Sequence, residues 1–132
     1  MNRSPIICAD VIAHYGSKIA VVRRLGSVLG LSLPGGKQES GETLSKTIER
    51  EMKEETGLSL SITGVLGTYA EPCRDPRGNY ISTVFTAVAY GDPRDEPGKT
   101  QVLFLDEREI QLRESQFVFD HFKILKQYFS GK

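Results

Sequence analysis

The sequence lacks an excess of charge of either sign, which excludes some classes of partner. Seventeen Lys and Arg side chains balance 17 Asp and Glu side chains, so the formal net charge is zero. Binding of a nucleic acid polymer or an anionic membrane by the whole chain would need a basic excess or stripe. A small polyanionic substrate must therefore be bound by local features, namely a metal ion or a few placed cations.

Long apolar runs and paired cysteines are also missing. No apolar stretch approaches the roughly 20 residues that a membrane-spanning helix needs. The two cysteines, Cys8 and Cys73, form neither a CxxC pair nor a small disulfide framework. The N-terminal residues do not resemble a secretory signal. We therefore expect free thiols and a soluble, cytoplasmic protein.

The remaining composition is that of an ordinary globular protein. The chain has 132 residues, of which 39% are apolar and 26% charged, so we expect one domain over residues 1–132. The order β-β-β-α-β-β-β-α predicts a mixed sheet covered by helices. The predicted strands are residues 6–14, 18–24, 31–33, 58–70, 80–90 and 101–105, and the predicted helices are residues 43–56 and 117–129.

The first predicted helix follows a glycine-rich segment. Residues 34–36 read Pro-Gly-Gly, which predicts a loop after the third strand, and Gly57 predicts the end of the helix. Leu44, Ile48 and Met52 form the apolar stripe of a helix that packs on a core. The glycines let the backbone approach a ligand without a Cβ atom, and the helix N-terminus favours phosphate.

Acidic side chains crowd one edge of this stripe. Glu51 and Glu55 are four residues apart and therefore project on the same side, with Glu54 one step further round beside Arg50. Like charges at this spacing cost a few tenths of a kcal/mol each. A divalent cation such as Mg²⁺ or Mn²⁺ would neutralise them and would keep water and substrate phosphates as its other ligands. The alternative interpretation is an acidic, solvated helix face.

A known sequence motif favours the first interpretation. Residues 36–58, GKQESGETLSKTIEREMKEETGL, resemble the Nudix box, G-x5-E-x7-R-E-U-x-E-E-x-G-U with U apolar, at every fixed position. The strand order also resembles the Nudix fold, an α/β/α sandwich with a mixed β-sheet and the catalytic loop and helix after the third strand. The resemblance implies a hydrolase dependent on Mg²⁺ or Mn²⁺ that cleaves a diphosphate linkage in a nucleotide. The matching positions are Gly36, Glu42, Arg50, Glu51, Met52, Glu54, Glu55, Gly57 and Leu58.

The resemblance also implies roles for these residues. It makes Glu51 and Glu55 metal ligands, with Glu54 as a further ligand or as the base that activates water. The Gly35 carbonyl would complete the metal shell. Arg50 would pair with the carboxylates of the box, so that Glu54, Glu51 and Arg50 form the implied catalytic set.

The remaining box positions have supporting roles by the same resemblance. Glu42 and Gly57 are structural, with Glu42 fixing the loop and the helix start, and Gly36 lies against the substrate. Many Nudix enzymes carry another acid before the late strand, but residues 99–101 here are Lys, Thr and Gln. Either Glu96 or Asp95 substitutes for that acid, or Glu54 acts alone.

A second resemblance narrows the substrate. Residues 69–79, YAEPCRDPRGN, are similar to the "DPxRDPRGH" segment of a group of Nudix ADP-ribose pyrophosphatases, and residues 119–121 resemble the "FDH" of that group. Arg74 and Arg77 could clamp the diphosphate or the terminal ribose, because guanidinium matches phosphate geometry. Tyr69 could stack on a base.

Two alternatives stay open for this segment. Residues 75–78 also read as a simple hairpin turn, and Asn79 stands where the group has His. A lone helical histidine such as His121 is more often a packing or hydrogen-bonding residue than a catalyst, and we assign it no role in the chemistry.

These observations lead to three hypotheses about function. The first is hydrolysis of ADP-ribose to AMP and ribose 5-phosphate. The second is a (d)NTP pyrophosphohydrolase, which would include oxidised nucleotides among its substrates. The third, from another class, is a nucleotide-sensing module that binds without cutting. In each case the partner is a small nucleotide, with no nucleic acid polymer and no membrane, and the resemblance allows a homodimer.

Overall fold

A computed structural model describes residues 4–131 of the chain. It contains a seven-stranded mixed sheet and three α-helices, as the α/β prediction requires. Among these residues, no helix has the length and apolar character needed to cross a membrane. The strands are β1 (Ile6–Tyr15), β2 (Lys18–Arg24), β3 (Gly30–Ser32), β4 (Gly35–Lys37), β5 (Ser59–Tyr69), β6 (Tyr80–Tyr90) and β7 (Thr100–Leu105), and the helices are α1 (Leu44–Thr56), α2 (Glu107–Leu112) and α3 (His121–Ser130).

The two long N-terminal strands diverge after their hairpin, and this divergence opens the space for the site. β1 runs parallel to β6 along one side. On its other side, β1 pairs with β2 only near the hairpin and with β4 near its start. β2 in turn pairs with β7 along one side and with β3 near its end. The short strands β3 and β4 therefore occupy the edges that face each other across the gap.

Helices cover both faces of the sheet, which confirms the predicted α/β/α sandwich. Because side chains alternate along a strand, neighbouring residues of β1 enter different cores. Val11 packs with the buried Ile48 and Met52 of α1. Ile12 packs on the opposite face with the buried Ile124 of α3. The two predicted free thiols are also confirmed, with Cys8 buried and Cys73 exposed.

Three details of the predicted element order were wrong. Gly35 and Gly36 lie in β4 rather than in a loop, so α1 follows the fourth strand; pairing with β1 overrides the low strand propensity of glycine. α2 was not predicted. The last helix begins at His121 rather than at residue 117, because Phe119 has a φ of 59° and cannot continue a helix.

Candidate active site

A cavity of about 660 Å³ lies where β1 and β2 diverge. Its volume is within the range of pockets that hold small molecules and cofactors. The acidic edge of α1 forms one wall. The others are formed by β4, the start of β1, the end of β2 and the loop after it, the β5–β6 loop, the loop before β7 and the start of α3. All three carboxylates of the predicted acidic edge line it, namely Glu51, Glu54 and Glu55.

Local sequence signals fix the start, the end and the rotation of α1. The Thr43 hydroxyl accepts a hydrogen bond from the Lys46 amide at 3.2 Å and caps the N-terminus. Gly57 ends the helix in the left-handed conformation, with a φ of 77°. Ile48 and Met52 are fully buried against the sheet, and their burial turns the acidic edge toward the cavity.

Glu55 is the most deeply buried carboxylate of this edge. Its side chain accepts a hydrogen bond from the Gly35 amide, with an N–O distance of 3.0 Å. Removal from water raises the pKa of Glu55 well above its ordinary value, and the nearby Glu51 raises it further. The fold thus places a carboxylate where ionisation is unfavourable unless a cation joins it.

Glu51 lies beside Glu55 and against the backbone of β4. A Cβ atom at position 36 would overlap the Glu51 carboxylate, so only glycine leaves room for this arrangement. Desolvation raises the pKa of Glu51 to about 7, and the charges of Glu54 and Glu96 act in the same direction. The neighbouring Arg50 opposes this rise but does not cancel it.

The buried Glu55 and the partly buried Glu51 fit a divalent metal that also binds substrate. Within residues 4–131, no group of three or more His, Cys, Asp or Glu side chains is placed to hold an ion unaided. Mg²⁺ is commonly held by one or two carboxylates, with water and substrate phosphates as its remaining ligands. Glu51, Glu55 and the adjacent Gly35 backbone are the groups that could form such a partial site. Glu54 lies further out, with 47% of its side chain exposed and Arg50 at 3.4 Å.

The structure shows the pairing of Arg50 with the carboxylates of the box. Its guanidinium donates to both oxygens of Glu42, at 2.6 and 3.0 Å, and to the Lys37 carbonyl at 3.0 Å. Hydrogen bonds from Arg50 and from the Glu39 amide lower the pKa of Glu42 to about 2. Glu42 also accepts from the Thr47 hydroxyl at 2.9 Å. These contacts tie the segment after β4 to the first turns of α1.

The loop before β7 brings one further acid to the cavity. Glu96 lines the cavity and its charge acts on Glu51. The Asp95 carboxylate instead accepts a hydrogen bond from the Val102 amide at 2.9 Å and does not line the cavity. Of the two acids that the sequence left open, Glu96 is therefore the one in the site.

The two arginines of the β5–β6 loop both reach the cavity, but in different states. Arg74 is buried and donates to both oxygens of Asp120, at 2.9 and 2.7 Å, so two of its guanidinium nitrogens are already engaged. Arg77 pairs with Asp75 at 2.7 Å and lies over the rings of Tyr80 and Phe119, at 4.6 and 4.9 Å from their centroids. Only Arg77 is partly exposed to solvent.

One predicted substrate-binding residue does not join the site. Tyr69 is absent from the cavity lining, and its hydroxyl donates to Gln127 of α3 at 3.0 Å. Its ring packs against the core under α3, because its position in β5 points it to that face of the sheet.

Several residues that the sequence did not assign to the site also line the cavity, among them Arg24, Asp10 and His121. Arg24 donates to the Val28 carbonyl at 2.9 Å and lies over the ring of Phe119. Asp10 is buried in β1, and His121 begins α3. Asp10 had a sequence signal, because it is the one acidic residue of β1 and is flanked by apolar residues. Arg24 carried no such signal.

Comparisons with known proteins agree with this geometry. A family model described as "NUDIX domain" matches residues 5–128. An ADP-ribose pyrophosphatase of Methanocaldococcus jannaschii is 36% identical over 131 residues, which cover 97% of this chain and 75% of that protein.

Two solved structures share the fold at 21% identity. The first is a bifunctional NMN adenylyltransferase/ADP ribose pyrophosphatase from Francisella tularensis, complexed with AMP and a Mn ion, with a TM-score of 0.88. That match covers 98% of this chain but only 42% of the bifunctional protein. The second is the NUDIX domain of Shewanella oneidensis NrtR complexed with ADP ribose, with a TM-score of 0.84 over 98% of this chain and 89% of that one. The predicted Nudix fold is thereby confirmed, and the chain belongs to the NUDIX domain family.

Proposed function

We propose that this protein hydrolyses the diphosphate linkage of ADP-ribose to AMP and ribose 5-phosphate, using Mg²⁺. The observation that carries the proposal is the crowded pair Glu51 and Glu55, held beside two glycines in a nucleotide-sized cavity. The 36% identity to an ADP-ribose pyrophosphatase supports the choice of substrate.

The metal would be held by Glu51 and Glu55, with the Gly35 carbonyl as an additional ligand. When bound, a divalent cation supplies Lewis-acid polarisation of the phosphate and lowers the pKa of water. Burial raises the pKa values of both glutamates, and the charge of Glu51 raises that of Glu55 further. Arg50 keeps the segment after β4 against α1 through its bonds to Glu42 and the Lys37 carbonyl.

Hydrolysis also needs an acceptor for a proton. Attack of a water oxygen on one phosphorus forms a P–O bond, the bond from that phosphorus to the bridging oxygen breaks, and the attacking water gives up its proton. Glu54 and Glu96 both line the cavity and are the two candidates for accepting it. Glu54 forms an ion pair with Arg50 at 3.4 Å, whereas no ion pair is found for Glu96 within residues 4–131. A general base contributes about 10²–10⁴-fold to rate, so Glu54→Gln and Glu96→Gln should differ sharply in kcat.

The other wall of the cavity suits a nucleotide diphosphate. Arg77 and Arg24 both approach the Phe119 ring, at 4.9 and 5.1 Å from its centroid, and Arg77 also covers Tyr80. Guanidinium groups bind phosphate oxygens, and aromatic rings stack on bases. We therefore assign substrate binding to Arg77 and to the Gly36 backbone, and a supporting role to Arg74 through Asp120.

A substrate panel tests the proposal. The purified protein is incubated with ADP-ribose, dGTP or 8-oxo-dGTP, with Mg²⁺ or Mn²⁺, and the products are separated by anion-exchange chromatography. We expect AMP and ribose 5-phosphate in equal amounts from ADP-ribose, with Mg²⁺ sufficient. If the protein releases pyrophosphate from 8-oxo-dGTP but no AMP from ADP-ribose, the second hypothesis, a (d)NTP pyrophosphohydrolase, is correct. Binding of ADP-ribose without any cleavage would favour the sensing module.

We also propose that the protein acts on free nucleotides as a homodimer. β5 is the last strand in the sheet order, and neither β5 nor β6 contains a charged residue. Val65, Val88 and Tyr90 on these strands are each about half exposed. An unguarded, uncharged edge of this kind can meet a second copy of itself without charge repulsion. Sedimentation should show a dimer that Val65→Lys, in the edge strand β5, converts to a monomer; a monomeric parent protein would contradict this.

A further inference from the structure

His121 connects the start of α3 to the segment that enters β4. It is buried, with 3% of its surface exposed, and its Nδ1 accepts a hydrogen bond from the Leu33 amide at 2.9 Å. Because Nδ1 is the acceptor, the neutral ring carries its proton on Nε2. Nε2 faces Asp10, 3.6 Å from its Oδ2 atom. The ring thus contacts two parts of the chain that border the cavity.

Asp10 extends this contact to the glycine of β4. It accepts a hydrogen bond from the Ser82 hydroxyl, which fixes its carboxylate in the buried strand. A Cβ atom at Gly35 would overlap Asp10 Oδ1 and would lie 2.7 Å from Asp10 Cα, so the two residues are in close contact. The carbonyl of Pro34, the residue between Leu33 and Gly35, accepts a hydrogen bond from the Val11 amide at 3.0 Å. Each residue of the segment 33–35 therefore contacts His121 or β1.

The same segment reaches the metal-binding carboxylates on its other side. The Gly35 amide donates to Glu55 at 3.0 Å, and the Gly35 carbonyl is a proposed metal ligand. We infer that His121, together with Asp10, is a positioning residue that holds residues 33–35 so that Gly35 meets Glu55 and the metal. This inference rests on the proposed function, because it assumes that a metal is held there.

A residue that orients a metal site differs from one that only packs in a core. Partners outside the ligand shell typically change metal affinity by about 10–100-fold when they are replaced. Loss of packing alone lowers stability and leaves the affinity of the folded protein unchanged. Metal affinity measured without substrate therefore separates the two roles.

The experiment measures Mn²⁺ binding from the EPR signal of the free ion, together with the melting temperature. His121→Phe removes both ring nitrogens, whereas His121→Asn retains an oxygen that can accept from the Leu33 amide. Leu125→Ala is the matched control, because this fully buried residue of α3 packs in the same core as Leu33 but its side chain cannot hydrogen-bond to the segment 33–35. We expect His121→Phe to weaken Mn²⁺ binding by about 10–100-fold. His121→Asn should retain most of the affinity, and Leu125→Ala should lower the melting temperature only.

Each other outcome overturns a defined part of the account. Parent-like affinity in His121→Phe, or an equal loss in Leu125→Ala, would overturn the positioning role. Where His121→Phe does not fold, His121→Gln replaces it, because its amide reaches toward Asp10 but leaves the Leu33 amide without its acceptor, and the same loss is expected. A parent protein that binds no Mn²⁺ would overturn the metal site and this inference together. Mn²⁺ binding without ADP-ribose hydrolysis would overturn the proposed substrate alone.

Discussion

Replacing Glu51 with glutamine should make the metal-free protein more stable at pH 8, although it should abolish the chemistry. The folded structure raises the pKa of Glu51 from its ordinary value of 4.5 to about 7. The folded state therefore holds a proton that the unfolded chain releases between these two values. By linkage, this group's contribution to stability is complete below about pH 4.5 and is lost as the pH rises through about 7.

The size of the effect follows from the two pKa values. A tenfold change in a protonation equilibrium is worth about 1.4 kcal/mol, so the full difference corresponds to about 3 kcal/mol. Water enters the open cavity and screens the Glu51 carboxylate, which reduces the gain to on the order of 1–2 kcal/mol. For a chain of this length, that gain is a rise of about 3–10 °C in melting temperature.

The assay is thermal unfolding in EDTA between pH 4.5 and 8, for the parent, Glu51→Gln and Glu49→Gln. Glu49 lies on the outer side of α1, with 43% of its side chain exposed and Lys46 at 3.7 Å, and serves as the matched control. The difference in melting temperature between Glu51→Gln and the parent cancels the titrating groups that Glu51 does not affect, and the easier ionisation of Glu55 in the variant acts in the same direction as the loss of Glu51. It should be near zero at pH 4.5 and should grow toward pH 8, while Glu49→Gln stays close to the parent throughout.

Saturating Mg²⁺ should reverse the order of stability, because an ion that binds only the folded state adds about 2.7 kcal/mol at 100 times its Kd. The parent should then melt above Glu51→Gln. A parent protein that is as stable as Glu51→Gln at pH 8 in EDTA would refute the argument that the fold disfavours ionisation of Glu51.

Two further predictions concern the backbone of β4 and the buried ion pair. Gly36→Ala should displace the Glu51 carboxylate and weaken Mn²⁺ binding in an EPR titration by about 10–100-fold. The melting temperature should change little, because the atoms that the new Cβ meets belong to a movable side chain. Gly35→Ala should instead cost about 1–3 kcal/mol in denaturant unfolding, because its Cβ would meet the backbone of β1; equal stability of the two variants would contradict this contrast. Asp120→Asn should lower the free energy of unfolding by about 3 kcal/mol in the same measurement, because it leaves the guanidinium of Arg74 buried without its charged partner. A loss below about 1 kcal/mol would contradict this and show that water replaces the carboxylate.

Elements with strong local signals were predicted nearly to their ends. The predicted helix of residues 43–56 matches α1 with Thr43 as its cap, and Gly57 ends it as expected. α2 was missed although it has a readable capping box. The Asp106 carboxylate accepts a hydrogen bond from the Glu109 amide at 2.8 Å, and the Glu109 carboxylate accepts one from the Asp106 amide at 2.9 Å. β4 had no such signal, because its strand conformation comes from pairing with β1 rather than from its glycines.

The site divides in the same way between local and distant residues. The acidic edge of α1 was predictable because helical spacing alone brings Glu51 and Glu55 together. Asp10 and Arg24 come from strands far away in the sequence, and only the divergence of β1 and β2 brings them to one cavity. Tyr69 was misplaced for a related reason, because the face of β5 on which it lies depends on the register with β6.

The most direct test of the central claim is AMP release from ADP-ribose by the parent protein and by Glu55→Gln, each with Mg²⁺ and with EDTA. Glutamine keeps an oxygen that can accept from the Gly35 amide, so the variant should fold and, in EDTA, melt no lower than the parent. We predict AMP and ribose 5-phosphate in equal amounts from the parent with Mg²⁺, none in EDTA, and a fall in rate of at least about 100-fold in Glu55→Gln. Undiminished AMP release by Glu55→Gln, or by the parent protein in EDTA, would contradict the account.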